Sequence, residues 1–349
     1  MESHQSKKQG GQPLRVGIAG LGRLGARHAQ ALAYGTRHCT LVAACSPVAA
    51  ERAYAAEHCG VQQLYENLDD MLANPDIDAV ALVTPTSMHA GQTIAALRAG
   101  KHVFVEKPLA LNVEDCEAVL KVAEQHLQQV AMVGFVRRFD PHYQAAQRVI
   151  AQGEIGRPFI VNSQTCDLND PEGFFVRFAP TSGGIFMDCS IHDIDLARWM
   201  LGKPRALRVF ASGTNALHPA LAEHGDVDNG LAMIEFEGGA RAVLYASRTM
   251  AHGHETSTEI IGTAGKLQIG EHGAKDRILR SDGHGVRHAV LRDFYERFEA
   301  AFQAEMAAFV AACRGEKALE LELADAVEAT RIGLAITKAY RTGQVVEVG

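Results

Sequence analysis

"LRVGIAGLGRLGARHAQALAY" occupies residues 14–34. Its first six residues are an apolar run that reads as a buried strand, and the last third reads as a helix. Between them lies G-x-G-x-x-G, with glycines at Gly20, Gly22 and Gly25. The motif is weak alone, but strand before and helix after is the context that gives it meaning. Gly20 suits a tight turn, Gly22 a close approach of backbone to a pyrophosphate, and Gly25 close helix–strand packing. The helix start, at Arg23 and Leu24, would offer unpaired N–H groups and a positive dipole end to phosphate.

The pattern outside this stretch agrees with it. "CTLVAAC" (39–45), "IDAVALVTP" (77–85), "HVFVEKP" (102–108) and "QVAMVGF" (129–135) are strand-like. The helical segments "PVAAERAYAAEHCG", "SMHAGQTIAALRAG" and "NVEDCEAVLKVAEQH" separate them. Such alternation predicts a doubly wound parallel sheet over residues 13–137, the Rossmann arrangement. From 138 to 349 the rhythm changes to "PFIVNSQTCD", "RALRVFASG", "NGLAMIEFEGG", "ARAVLYASRT", "TSTEIIGT" and "GKLQIGE", several joined by glycine-bearing turns. This predicts an α+β domain with a large, mostly antiparallel open sheet, closed by helices near 291–313 and 322–341. Residues 1–12 read as a disordered polar tail.

Composition narrows the function. The chain has 349 residues, 47% of them hydrophobic and 21% charged, with a formal net charge of −7. A nucleic-acid partner would need a basic face, and none is visible. No apolar run approaches the roughly 18 residues of a membrane span. The start lacks the apolar segment of a signal peptide. Seven scattered cysteines without C-x-x-C suit reduced thiols in a cytoplasm and no zinc site. The open face of the second sheet predicts a homo-dimer or homo-tetramer.

Ligands of a doubly wound sheet sit outside the carboxyl ends of its strands. Thr84-Pro85, with His89 beyond, and Glu106-Lys107-Pro108 lie at such ends and are expected to line the cofactor crevice. The second strand ends at Ser46, where an aspartate would suit the ribose hydroxyl of NAD. No cation follows directly, which favours NAD; NADP stays open. Ser46 is also a candidate N-cap with Pro47 at N1. In "SGGIFMDCSIHDIDLARW" (182–199), Asp188 and His192 are four apart and would share one helical face, with Asp195 adjoining. A carboxylate beside an imidazole can orient it and raise its basicity.

These motifs, in this order, resemble the Gfo/Idh/MocA oxidoreductases, and most closely their inositol 2-dehydrogenase branch. "GFVRRFDPHY" (134–143), "GGIFMDCSIHDIDLARWMLG" (183–202) and "GDVDNG" (225–230) are similar to stretches of that branch. The resemblance implies an NAD(P)-dependent dehydrogenase acting on a secondary hydroxyl of a cyclic polyol or sugar. It implies His192 as acid/base, Lys107 on the reacting oxygen, Asp188 holding the lysine or the substrate, and no metal. Arg137 and Asp167 match substrate-touching positions. The chain departs from that branch at "SRTMAHGHETST" (247–258), where His252 and His254 stand in place of tyrosines. His254 is on this ground a further substrate candidate, and the polyol need not be myo-inositol. The alternatives are a dehydrogenase or reductase of another sugar or sugar-acid derivative, and a non-catalytic dinucleotide or ligand sensor.

Overall fold

The computed structural model describes residues 11–270, 273–276 and 278–349. Residues 1–10 of the expected tail lie outside the described residues.

The first strands are β1 (Leu14–Ala19), β2 (Cys39–Cys45), β3 (Gln63–Tyr65), β4 (Ala79–Leu82), β5 (His102–Glu106) and β6 (Ala131–Gly134). They form one parallel sheet in the order β3-β2-β1-β4-β5-β6, as the alternation predicts. Helices α1 (Arg23–Gln30), α2 (Ala49–Cys59), α3 (Leu68–Leu72), α4 (Thr86–Arg98) and α5 (Val113–Gln125) connect them. The central strands are nearly all apolar because helices cover both faces. Val80, Ala81, Val103, Phe104 and Val105 are fully buried. Each large side chain of this kind contributes about 1.5–3 kcal/mol. β3 escapes the sequence reading: it is three residues long and its side chains are half exposed or exposed, so no apolar run announces it.

Beyond α6 (Pro141–Ala151), capped by Asp140 through His142 N–H and Tyr143 N–H, the second sheet begins. Its strands are β7 (Pro158–Leu168), β8 (Ala206–Thr214), β9 (Asn229–Phe236), β10 (Arg241–Met250), β11 (Glu255–Gly262) and β12 (Lys266–Ile269). A hairpin of β13 (Arg280–Asp282) and β14 (Gly285–Arg287) stands apart, and β15 (Val346–Glu347) closes the large sheet. The order is β12-β11-β7-β10-β9-β8-β15; only the β7–β10 pair is parallel. Helices α7 (Phe174–Ser182), α8 (Ile185–Asp188) and α9 (Ser190–Met200) lie between β7 and β8, and α10 (Phe294–Cys313) and α11 (Leu323–Thr342) follow the hairpin. β8 to β10 alternate buried and exposed residues, as an antiparallel sheet with one covered face should.

The chain divides into two compact units. One holds the residues through Glu106 with 119–132 and 302–322; the other holds 107–118, 133–301 and 323–349. Lys107 thus groups with the second unit, one peptide bond beyond the last strand residue of the first.

Candidate active site

In the first unit, the β1–α1 turn has the shape its glycines require. Gly20 has φ +85°, and a Cβ there would stand 2.3 Å from Val83 O. A Cβ on Gly25 would stand 2.0 Å from Gly20 O, so strand and helix are in direct backbone contact. Gly22 differs: a Cβ there would meet nothing within 4 Å. Open space over an extended N-cap residue at the helix start is what an approaching pyrophosphate needs, so the turn fits a dinucleotide. Arg23 and Leu24 open α1 behind it.

The other cofactor-side candidates are largely turned to the protein. Thr84 Oγ1 donates to Gln92 Oε1 at 2.5 Å, and Pro85 is the N-cap of α4. His89 is buried, with Nε2 2.8 Å from Thr84 O, so it braces the turn rather than facing a ligand. Glu106 is buried, its Oε1 2.7 Å from His28 Nε2. Ser46 is buried and is not the N-cap of α2: that helix starts at Ala49 behind Val48. Its hydroxyl accepts from Val48 N–H at 3.1 Å and donates to Glu51 Oε2 at 2.5 Å, which ties the loop down before the helix begins.

The second unit gathers Lys107, Asp188 and His192. Lys107 Nζ donates to Asp188 O at 2.8 Å and to Asp188 Oδ1 at 3.1 Å. The expected single helix is broken: Asp188 ends α8, Cys189 (φ −93°, ψ −57°) intervenes, and α9 starts at Ser190. The break sends Asp188 to Lys107 and not to His192. Asp195 turns away altogether and takes Arg138 in a buried pair, Oδ1 to Nη2 at 2.6 Å.

The imidazole environment also corrects the expectation of raised basicity. Burial, the charge of Lys107, and then Arg137 and His254 hold His192 well below its ordinary value of 6.5. Its Nδ1 is buried with no hydrogen-bond partner among the described residues, and Phe135 meets the ring edge-on at 6.2 Å. These surroundings favour the neutral imidazole. Asp188 is lowered too, but by charge: burial alone would raise it, and Lys107 and Arg248 together keep it below the usual carboxylate range.

Arg248 has no place in the sequence reading. It is fully buried, with Nη2 3.2 Å from Asp188 Oδ2 and Nη1 2.9 Å from Asp226 Oδ2, and its guanidinium lies over Phe175 at 5.2 Å. Asp226 also accepts from Ile185 N–H at 2.8 Å, which anchors the start of α8. Asp226–Arg248–Asp188–Lys107 is thus one chain of alternating charge. The only signal was the position of Arg248 near the end of β10 and of Asp226 in "GDVDNG"; nothing local says that they meet.

Two substrate candidates are buried and engaged by protein partners. The His254 side chain is fully buried: Nδ1 lies 2.9 Å from Asp167 Oδ1 and Nε2 lies 2.6 Å from Thr256 Oγ1. Both nitrogens are thus used within the protein, and one of them holds Asp167. Arg137 is equally enclosed, donating to Asp193 Oδ1 at 2.7 Å and Thr165 Oγ1 at 2.6 Å. Asp167 itself is partly open, and Cys189 Sγ bridges it to Asp188 at 3.8 Å from each. His252 is exposed, 3.5 Å from Glu255. Among the described residues no group of three or more His, Cys, Asp or Glu could hold a metal ion.

Comparison with known proteins places the chain in a family. Residues 14–135 match the family model described as an oxidoreductase family with an NAD-binding Rossmann fold, GFO_IDH_MocA, and residues 143–268 match the GFO/IDH/MocA C-terminal domain. A scyllo-inositol 2-dehydrogenase (NAD(+)) of Bacillus subtilis is 38% identical over 336 residues, 96% of each chain. An inositol 2-dehydrogenase of Rhizobium meliloti is 35% identical over 311 residues, 88% of this chain and 90% of that one. A solved scyllo-inositol dehydrogenase from Lactobacillus casei, with bound NAD(H) and scyllo-inositol, superposes with TM-score 0.93. It is 38% identical, over 97% of this chain and 99% of that one. With its glycine turn open at Gly22 and both parts of the family matched in order, this chain belongs to the GFO/IDH/MocA oxidoreductases and carries their NAD-binding Rossmann domain.

Proposed function

We propose that this protein is an NAD-dependent dehydrogenase of a secondary hydroxyl on an inositol-like cyclic polyol. The observation that carries the reading is a buried imidazole, His192, within electrostatic reach of the Lys107–Asp188 ion pair, with Nδ1 lacking a hydrogen-bond partner among the described residues. Similarity to inositol dehydrogenases over nearly the whole chain supports the substrate class.

In oxidation, Lys107 donates a hydrogen bond to the reacting hydroxyl oxygen and stabilises the negative charge that grows there. His192 accepts the hydroxyl proton. NAD bound at the glycine turn would supply the acceptor for the hydride of the same carbon, so that alcohol becomes ketone. In reduction His192 returns the proton. Asp188 keeps the ammonium in place by two contacts, and Arg248 holds the far carboxylate oxygen so that Asp188 cannot swing to the imidazole. Asp167, steadied by His254, accepts from a second hydroxyl of the ring. The low basicity of His192 keeps it unprotonated, ready to accept, throughout the neutral range.

The test is a panel of inositols and pyranoses offered with NAD and with NADP, read as absorbance of reduced nicotinamide. Turnover of scyllo- or myo-inositol with NAD is expected. A response to pyranoses alone would move the substrate to a sugar derivative, and silence throughout would favour a sensor.

The reading extends to assembly. Phe210, Leu231, Met233 and Val243 are exposed on the open face of the second sheet, with Phe210 opposite Met233 and Met233 opposite Val243. Arg208, Glu235 and Arg241 flank them, Arg208 Nε donating to Glu235 at 2.6 Å. An apolar patch rimmed by both charges suits a second copy of the same chain. Light scattering should return a dimer or tetramer; a monomer at working concentration would refute this. Seven free thiols, five of them buried, suit a reducing compartment such as the cytoplasm.

A further inference from the structure

The end of β2 lacks the acid that usually receives a dinucleotide ribose. Ser46 stands 21 residues past Gly25 (46 − 25), where that acid is expected about 20 residues on. It cannot serve, because it is buried, its proton goes to Glu51 and its oxygen already accepts from Val48 N–H. Its partner Glu51 remains partly exposed in the first turn of α2. Glu51 Oε2 takes the serine hydroxyl; Oε1 carries no hydrogen bond among the described residues.

We propose that Glu51, oriented by Ser46, replaces the missing strand-end acid and makes this site select NAD over NADP. Its unused oxygen accepts from the ribose 2′-hydroxyl of NAD. The same carboxylate repels a 2′-phosphate, which would enter with like charge. The cation next door does not offset this. Arg52 is turned back, Nη1 donating to Ser46 O at 2.7 Å and Nη2 to Glu66 Oε1 at 2.7 Å. The surface above Ser46 therefore presents an anion, although its sequence shows serine, then glutamate and arginine side by side. The inference rests on the dinucleotide-binding reading of the first unit and adds a residue that decides between the two coenzymes.

Calorimetric Kd values for NADH and NADPH test it without turnover. Wild type should prefer NADH. Glu51→Gln keeps an acceptor for Ser46 but removes the charge, so the Kd ratio should move about tenfold toward NADPH, with the melting temperature unchanged. Arg52→Gln should leave the ratio within about twofold of wild type, well under the shift one lost ion pair would give. A wild type that prefers NADPH would overturn the proposal. So would an unmoved ratio in Glu51→Gln, or a larger shift in Arg52→Gln than in Glu51→Gln. Binding of neither coenzyme by the wild type would instead sink the dinucleotide reading, and this inference with it.

Discussion

The β1–α1 turn and the Lys107 cluster are built in opposite ways. The turn is local: six consecutive residues, Gly20 to Gly25, determine it through backbone geometry, and side chains hardly matter. The cluster is assembled from positions 107, 167, 188, 192, 226, 248 and 254, held by charge and hydrogen bonds across two strands, two helices and three loop positions. A local device announces itself in sequence and fails by steric fill. A long-range one is visible only in part, and it fails when any member leaves its partners uncompensated.

Substitutions can break that contrast. The largest effect is expected from His192→Ala, with a loss of about 10²–10⁴-fold in kcat and little change in the Kd for NADH. Unchanged turnover would remove His192 from the chemistry. Arg248→Met should follow, destabilising the fold by about 3–5 kcal/mol, because Asp188 and Asp226 would lose their shared buried counter-charge. Denaturant unfolding measures this, and a loss under about 1 kcal/mol would mean a surface-like pair. In the turn, Gly22→Val should leave the fold intact, since a Cβ meets no atom there, and weaken NADH at least about tenfold, some 1.4 kcal/mol. A melting temperature as depressed as that of Gly25→Ala would erase the distinction between cradle and packing glycine.

Two pH measurements sharpen it further. His192 must be neutral to accept a proton, and its environment favours the neutral form. The acid limb of kcat/KM for oxidation should therefore lie below 6.5, the ordinary imidazole value. A limb at or above it would mean that His192 behaves as a solvated histidine. The smallest effect concerns the first unit. Glu305 is fully buried, neither oxygen has a partner among the described residues, and burial with Glu106 nearby pushes its carboxyl well up from 4.5. The folded state then binds a proton that the unfolded state releases, so stability falls as pH rises from 4.5 toward the folded value. Glu305→Gln removes that dependence. It should stabilise the protein by about 1–2 kcal/mol at neutral pH and make no difference near pH 4.5; equal stability at both would place an anion there.

Much of the fold was legible. β1, β2, β4, β5 and β6 are apolar runs between helices, and the hairpin rhythm marked the second sheet. β3 was not, because a short edge strand buries too little to need an apolar run. The break at Cys189 was hidden for another reason. Residues 185–200 keep a helical pattern throughout, and nothing local marks Cys189 as the interruption beside which Asp188 meets Lys107 and Arg248. Of the site, Lys107, Asp188 and His192 were named in advance, with Asp188 offered to the lysine or the substrate by the resemblance and to the imidazole by helical spacing; the lysine takes it. Asp188 serves the lysine, and the imidazole is left without a carboxylate.

The sequence by itself determined the glycine turn, the alternation that makes a parallel sheet, and the residue types of the chemistry. Backbone sterics and hydrophobic period act over a few neighbouring residues, and a linear string records them. Tertiary structure alone decided which carboxylate meets which cation. It also set the burial of His192, the hydrogen-bond partners of His254 and Arg137, and the partial exposure of Glu51 beside a buried Ser46. Those outcomes depend on burial and on distances between residues up to 141 positions apart, Lys107 to Arg248 (248 − 107); charge and desolvation act through space and leave no period in the chain.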